Sequence, residues 1–144
     1  MKAALLDVNV LLALVWDGHV HHGDAHQWFR AQGTRAWASC AITQLGLVRL
    51  LSNPRITAAS VTPLDAVEVL RRLVTAKGHQ YWDDAPAVTS LAAFSHVGLV
   101  GHRQVTDAYL LSLAALRKGA LVTFDQGLAA FARAGKVGPV ELIG

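Results

Sequence analysis

Three aspartates stand where acids can act together on a phosphate ester. Asp7 follows the apolar run Ala3-Ala4-Leu5-Leu6, and Asp125 follows Ala120-Leu121-Val122-Thr123-Phe124. Asp107 opens the stretch that runs to Arg117, directly after Thr106. Short unbroken apolar runs read as strands buried on both faces, so Asp7 and Asp125 fall at strand C-termini. Asp107 falls in the first turn of a helix. In a parallel α/β sheet, strand C-termini and the helix N-termini beside them share one edge, the edge where ligands bind. Carboxylates gathered there repel one another and take up protons unless a cation offsets them. Oxygen ligands without His or Cys alongside suit a hard ion, Mg²⁺ or Mn²⁺. Such an ion activates water and stabilises charge on a phosphoryl group, so the implied chemistry is phosphodiester hydrolysis. Each acid also has a structural reading: Asp7 and Asp125 as helix caps, Asp107 as a complement to the helix dipole. Those separate readings do not explain convergence on one edge. Asn9 would orient Asp7, and Thr123 would hold a ligand or a water from the strand that ends at Asp125.

The elements that must position these acids alternate between strand and helix. The first strand leads into a helix through Val10–Trp16, and a second helix carrying Trp28 and Phe29 ends near Gly33. A second strand is expected over Arg35–Cys40, then a helix from about Ile42 to Ser52, stopped by Asn53-Pro54. Residues 53–62 read as a polar loop. Thr62-Pro63-Leu64-Asp65 is a strong helix start, with the helix running to about Ala76 and Gly78 as its C-cap. A short strand at 79–82, a turn containing Asp83 and Asp84, a short helix at 88–94 and a loop at 97–101 follow. Thr106 is expected to cap the helix from Asp107 to Arg117. A last helix spans 128–133 and a terminal strand 140–143. Alternating strands and helices argue a parallel sheet covered on both faces. His19, His21, His22 and His26 stand close together and invite a metal reading, but no zinc-type pattern accompanies them. Helix-start and surface roles are expected for them instead.

Composition narrows the class. A chain of 144 residues fits one domain spanning 1–144, and 53% hydrophobic residues exclude disorder. No apolar stretch approaches the roughly 20 residues that cross a bilayer, so no membrane partner is expected. The single Cys40 cannot form an internal disulfide, which fits a cytoplasmic protein. A net charge of +3 permits contact with a phosphate backbone without requiring it. No glycine-rich phosphate loop follows any strand, which argues against a nucleotide cofactor.

Four ordered motifs then carry a family likeness across nearly the whole chain: Leu6-Asp7-Val8-Asn9-Val10-Leu11-Leu12, Ile42-Thr43-Gln44-Leu45-Gly46 with Arg49, Gln104-Val105-Thr106-Asp107-Ala108-Tyr109-Leu110, and Val122-Thr123-Phe124-Asp125. In these the chain resembles the PIN-domain ribonucleases, specifically the VapC-type toxins of bacterial toxin–antitoxin pairs. The resemblance implies a three-layer α/β/α sandwich with a central parallel sheet. It implies a pocket in which Asp7, Asp107 and Asp125 bind Mg²⁺ or Mn²⁺ and cut RNA. It also implies a homodimer and a cognate antitoxin that inserts a segment into the pocket. His102, Arg103 and Arg49 are candidate contacts to RNA phosphate.

One position departs from the family pattern: Gln44 stands where a Glu is usual near the start of the helix after the second strand. An amide oxygen can still ligate, or hold a metal-bound water, but cannot act as a base. Gln44 is therefore expected to keep a positioning role in catalysis, with activity carried by three acids. The competing reading is a PIN-fold module that binds RNA or protein and turns over weakly, with Gln44 as its support. A different Mg²⁺ phosphatase or nuclease is disfavoured, because many such enzymes place a second Asp two residues after the first, where this chain has Asn9. Asp83 and Asp84 are possible but less convincing substitutes for the missing acid.

Overall fold

A computed structural model describes residues 1–58, 60–83, 86–95 and 101–144, without the side chains of Ser95 and Arg103. Asp84 and the expected loop before Gly101 lie outside the described residues. Five parallel strands form one sheet: β1 (Ala4–Leu6), β2 (Trp37–Cys40), β3 (His79–Trp82), β4 (Ala120–Thr123) and β5 (Val140–Leu142). Their order is β3-β2-β1-β4-β5. Leu5 pairs with Ala38 on one side and with Leu121 on the other. The helices are α1 (Val8–Val15), α2 (His22–Ala31), α3 (Ala41–Leu51), α4 (Pro54–Thr57), α5 (Pro63–Leu73), α6 (Val105–Leu116) and α7 (Gln126–Gly135).

Side chains alternate across a strand, and here both faces are covered. Leu5, Ala38 and Leu121 join α6 and α7 through Leu110, Leu111, Leu128 and Phe131. Ala4, Leu6 and Val122 join α1, α3 and α5 through Val10, Leu11, Leu47 and Ala66. Leu5, Leu6, Leu121 and Val122 are fully buried, each worth about 2 kcal/mol of transfer free energy. The result is the expected α/β/α sandwich. The chain builds outward from β1 to β2 and β3, then crosses back to β4 and β5 on the other side. The order therefore reverses between β1 and β4, the crevice where open α/β sheets take their ligands.

Local chemistry sets the boundaries. In α5 the Thr62 hydroxyl accepts the Asp65 N–H and Asp65 accepts the Thr62 N–H, with Pro63 at the first position. The helix ends at Leu73, earlier than expected. Gly78 is not its cap: with φ +89° it turns the chain into β3, where a Cβ would stand 3.1 Å from the Arg35 carbonyl. Residues 53–62 are not wholly loop, because Asn53 caps α4 through the Arg55 N–H and Pro54 occupies its first position. The expected helix at 88–94 is two 3₁₀ turns, Val88–Ser90 and Ala92–Ser95. Thr106 does not cap α6. A 3₁₀ turn, His102–Gln104, runs directly into the helix, Gln104 takes the cap position, and Thr106 lies inside the first turn.

The histidines are not idle surface groups. His22 Nδ1 donates to the Ala13 carbonyl at 2.6 Å and His26 Nε2 donates to the Leu14 carbonyl at 2.7 Å. They satisfy the carbonyl end of α1, which no glycine cap closes. The far edge is held by Arg35, whose side chain is 5% exposed. It bonds Glu141 of β5 at 2.9 Å and the Lys2 carbonyl at 2.7 Å, while Glu141 also accepts the Trp28 indole N–H at 2.7 Å. Among the described residues no helix is long and apolar enough to cross a membrane.

Candidate active site

The crevice between β1 and β4 carries the acids. Asp7 is the residue after β1 and caps α1: its Oδ1 accepts the Val8 N–H at 2.8 Å. Its Oδ2 accepts the Thr123 hydroxyl at 2.7 Å across the crevice. Thr123 is fully buried, and its Oγ1 in turn accepts the Asp125 N–H at 3.1 Å. One hydroxyl thus joins the carboxylate of one acid to the backbone of another. Asp125 caps α7 by accepting the Leu128 N–H at 3.1 Å. The cap readings of Asp7 and Asp125 are therefore true, and the two caps bring both acids to one crevice.

Asp107 completes the set from the first turn of α6. With Gln104, Gly127, Leu128 and Phe131 it lines, together with Asp125, a hollow of about 150 Å³. Among the described residues its carboxylate has no hydrogen-bond partner. Burial and the negative charges of Asp7 and Asp125 push its pKa up to about 7. Burial also raises Asp7, although the bonds from Thr123 and Val8 pull it back; the charge of Asp125 adds to the rise. The three acids feel one another as a cluster. As placed, no three His, Cys, Asp or Glu side chains among the described residues stand close enough together to hold a metal ion. The donor set still fits one. It is all oxygen, and among the described residues the Asp107 carboxylate is unpartnered.

The remaining candidates fall in different places. Asn9 does not orient Asp7: it is exposed on the first turn of α1, and the Asp7 oxygens are held by Val8 and Thr123. Thr123 is a clamp on two acids, a more specific role than the expected one. Gln44 turns its amide toward β2. Its amide nitrogen donates to Ser39 Oγ at 3.0 Å, and that buried hydroxyl is 2.7 Å from His79 Nε2. Burial holds the His79 ring toward its neutral form. Helical geometry is the reason: residues advance about 100° each, so position 44 points about 200° away from positions 42 and 46. Position 46 is the one that meets α1, where a Cβ on Gly46 would stand 2.8 Å from Val8 Cγ2.

Arg49 shares that face. It is exposed and lines a groove of about 440 Å³ with Val8, Gly46 and Thr106, of which Val8 and Thr106 are the chain neighbours of Asp7 and Asp107. The spacing 42, 45, 46, 49 is the signal that could have identified this face, since it is one stripe of a helix. His102 is exposed just before α6. The Arg103 side chain lies outside the described residues. Asp83 is exposed and pairs with Arg117 at 3.4 Å, so it does not replace the missing acid.

Comparison with known proteins agrees with this architecture. The family model for the PIN domain matches residues 4–134. The chain is 44% identical over 140 residues to Ribonuclease VapC38 of Mycobacterium tuberculosis, covering 97% of both chains. It is 45% identical over 125 residues to Ribonuclease VapC29 of the same species, covering 87% of both. Among solved structures, PAE2754 from Pyrobaculum aerophilum superposes with a TM-score of 0.58 at 21% identity, over 96% of this chain and 83% of that one, a likeness of fold.

Proposed function

The chain belongs to the PIN-domain family, with the VapC ribonucleases as its relatives, and from that premise we propose that it is an endoribonuclease toxin whose acids Asp7, Asp107 and Asp125 hydrolyse RNA phosphodiester bonds. The observation that carries the reading is the acid cluster in the β1–β4 crevice, with Asp107 pushed up to about 7 by burial and by its two neighbours. We place the whole chain in one catalytic domain acting in the cytoplasm. A cognate antitoxin and a second copy of the chain are its expected protein partners.

Each residue has a separate task. Thr123 and the Val8 N–H fix the Asp7 carboxylate, so its direction is set before substrate arrives. Asp125 is anchored by the Leu128 N–H and borders the hollow from the other side. Asp107 has no such anchor, and near neutral pH it exchanges a proton with solvent. Asp7, Asp107 and Asp125 would together hold a divalent cation, Mg²⁺ or Mn²⁺. When bound, that ion activates water and stabilises negative charge on the phosphoryl oxygens. Arg49 and His102, together with Arg103, would meet the RNA backbone around the acids.

The weak-turnover module is the less favoured reading: the relatives are ribonucleases, and the Gln44 amide donates to Ser39. The test is cleavage of a mixed tRNA and rRNA pool with Mg²⁺ or Mn²⁺, with EDTA, and by Asp7→Asn. Discrete cuts that need the metal and vanish in the variant are expected. A folded protein that cuts nothing with either ion contradicts the reading.

A further inference from the structure

The groove beside the acids has its own composition. Val8 and Thr106 line it, and each is the chain neighbour of an acid, Asp7 and Asp107 respectively. The groove therefore borders the residues that flank two of the acids. Its wall is aliphatic, from Ile42, Leu45 and Leu50, and Leu45 is 64% exposed. Its polar side chains are Arg49, Asn53 and Thr106, and no acid lines it. Among the described residues Arg49 has no carboxylate partner. The Asn53 oxygen is occupied by the Arg55 N–H, while its amide nitrogen has no partner there.

That set fits one nucleotide of a strand. An aliphatic wall packs against the face of a base, a guanidinium takes the adjacent phosphate through paired N–H donors, and a side-chain amide donor reads a base edge. The volume of about 440 Å³ falls within the range of small-molecule sites. A strand whose scissile phosphate lies at the acids must also place its next nucleotide nearby. We infer that this groove between α1, α3 and α6 is the subsite for the nucleotide adjoining the scissile phosphate, with Arg49 binding its phosphate and Asn53 selecting its base. This rests on the ribonuclease reading for its register with the cut. The binding itself can be tested without turnover.

The experiment uses a fluorescein-labelled single-stranded RNA decamer of randomised sequence. Its affinity is followed against salt concentration in EDTA, and its cut sites are sequenced with Mn²⁺. Arg49→Ala is expected to weaken binding about tenfold and to lower the slope of log affinity against log salt by about one. Arg49→Lys is expected to restore the slope and only part of the affinity. Asn53→Asp keeps the α4 cap but replaces a donor by an acceptor, so base preference should change at one position at a fixed distance from the cut. Wild-type affinity and slope in Arg49→Ala, with base preference unchanged in Asn53→Asp, would overturn the subsite and leave the groove to a protein partner. If the wild type binds the decamer through Arg49 yet cuts with no metal, the binding groove stands and the nuclease reading falls. If the wild type binds no RNA, both fall.

Discussion

Thr123 Oγ1 donates to Asp7 Oδ2 at 2.7 Å across the crevice where the strand order reverses, and the same oxygen accepts the N–H of Asp125. A fully buried hydroxyl therefore couples two strand ends that are 116 residues apart in the chain. Removing it leaves a buried carboxylate oxygen and a backbone N–H without their partner. Thr123→Val should cost about 1–3 kcal/mol of stability. It should also lower metal affinity or cleavage by about 10–100-fold, the usual effect of losing a group that orients a ligand. Thr123→Ser should recover most of both. Denaturant unfolding and Mn²⁺ titration of the two variants would check this, and equal defects in both would show that the methyl packing matters rather than the hydroxyl.

Asp107 gives the ion-free protein a pH dependence of definite sign. Its pKa is pushed up to about 7 in the fold, against about 4 in an unfolded chain. A raised acid favours folding only when protonated, so it imposes no penalty below about pH 4. The penalty grows from pH 4 to about 7 and is constant above. In EDTA the wild type should lose stability between pH 5 and pH 8, and Asp107→Asn should lose clearly less. Saturating Mn²⁺ should reverse the wild-type trend. Melting curves at the two pH values provide the test, and identical pH dependence in wild type and Asp107→Asn would contradict the coupling.

Gln44→Glu separates two accounts of position 44. Its amide donates to Ser39, which pairs with His79, so a carboxylate there cannot reproduce the donor and acts on His79 instead. The variant should show no gain in Mn²⁺ affinity and a raised His79 pKa, read by NMR. A tenfold tighter metal site would place position 44 at the acids after all.

How much of this was legible depends on how local each signal is. The apolar runs ending at Asp7 and Asp125 are period-free and short, which is how doubly covered parallel strands read, and both strands and both acids were placed from them. The box Thr62-Pro63-Leu64-Asp65 fixed the start of α5 in the same way. The reach of Gln44 was not legible from its position in a motif, because a side chain on a helix goes where its 100° step sends it, and Ser39 waits there on β2. Thr106 misled for a related reason. It is a good cap residue, but the preceding 3₁₀ turn had already begun the helix. The second role of the histidines, closing the carbonyl end of α1, depends on α2 folding back onto α1, a tertiary event that no local pattern records.

Glu141 ties the edge strand β5 to the rest of the molecule. It meets the almost fully buried Arg35 and the Trp28 indole. Glu141→Gln keeps an acceptor for Trp28 but leaves Arg35 without its counter-charge. Because Glu141 itself is partly exposed, the loss should be moderate, about 1–2 kcal/mol, or roughly 3–6 °C in melting temperature. RNA cleavage at 25 °C should be retained, since the pair is remote from the acid cluster. Loss of activity without loss of melting temperature would contradict that separation.

Asp7, Asp107 and Asp125 as one cation site would be read out by calorimetric Mn²⁺ titration at pH 7.5. The wild type should show saturable binding that weakens at least tenfold in each of Asp7→Asn, Asp107→Asn and Asp125→Asn, with the fold intact by circular dichroism. A variant that binds Mn²⁺ with wild-type affinity removes its residue from the site, and wild-type affinity in all three would contradict the account.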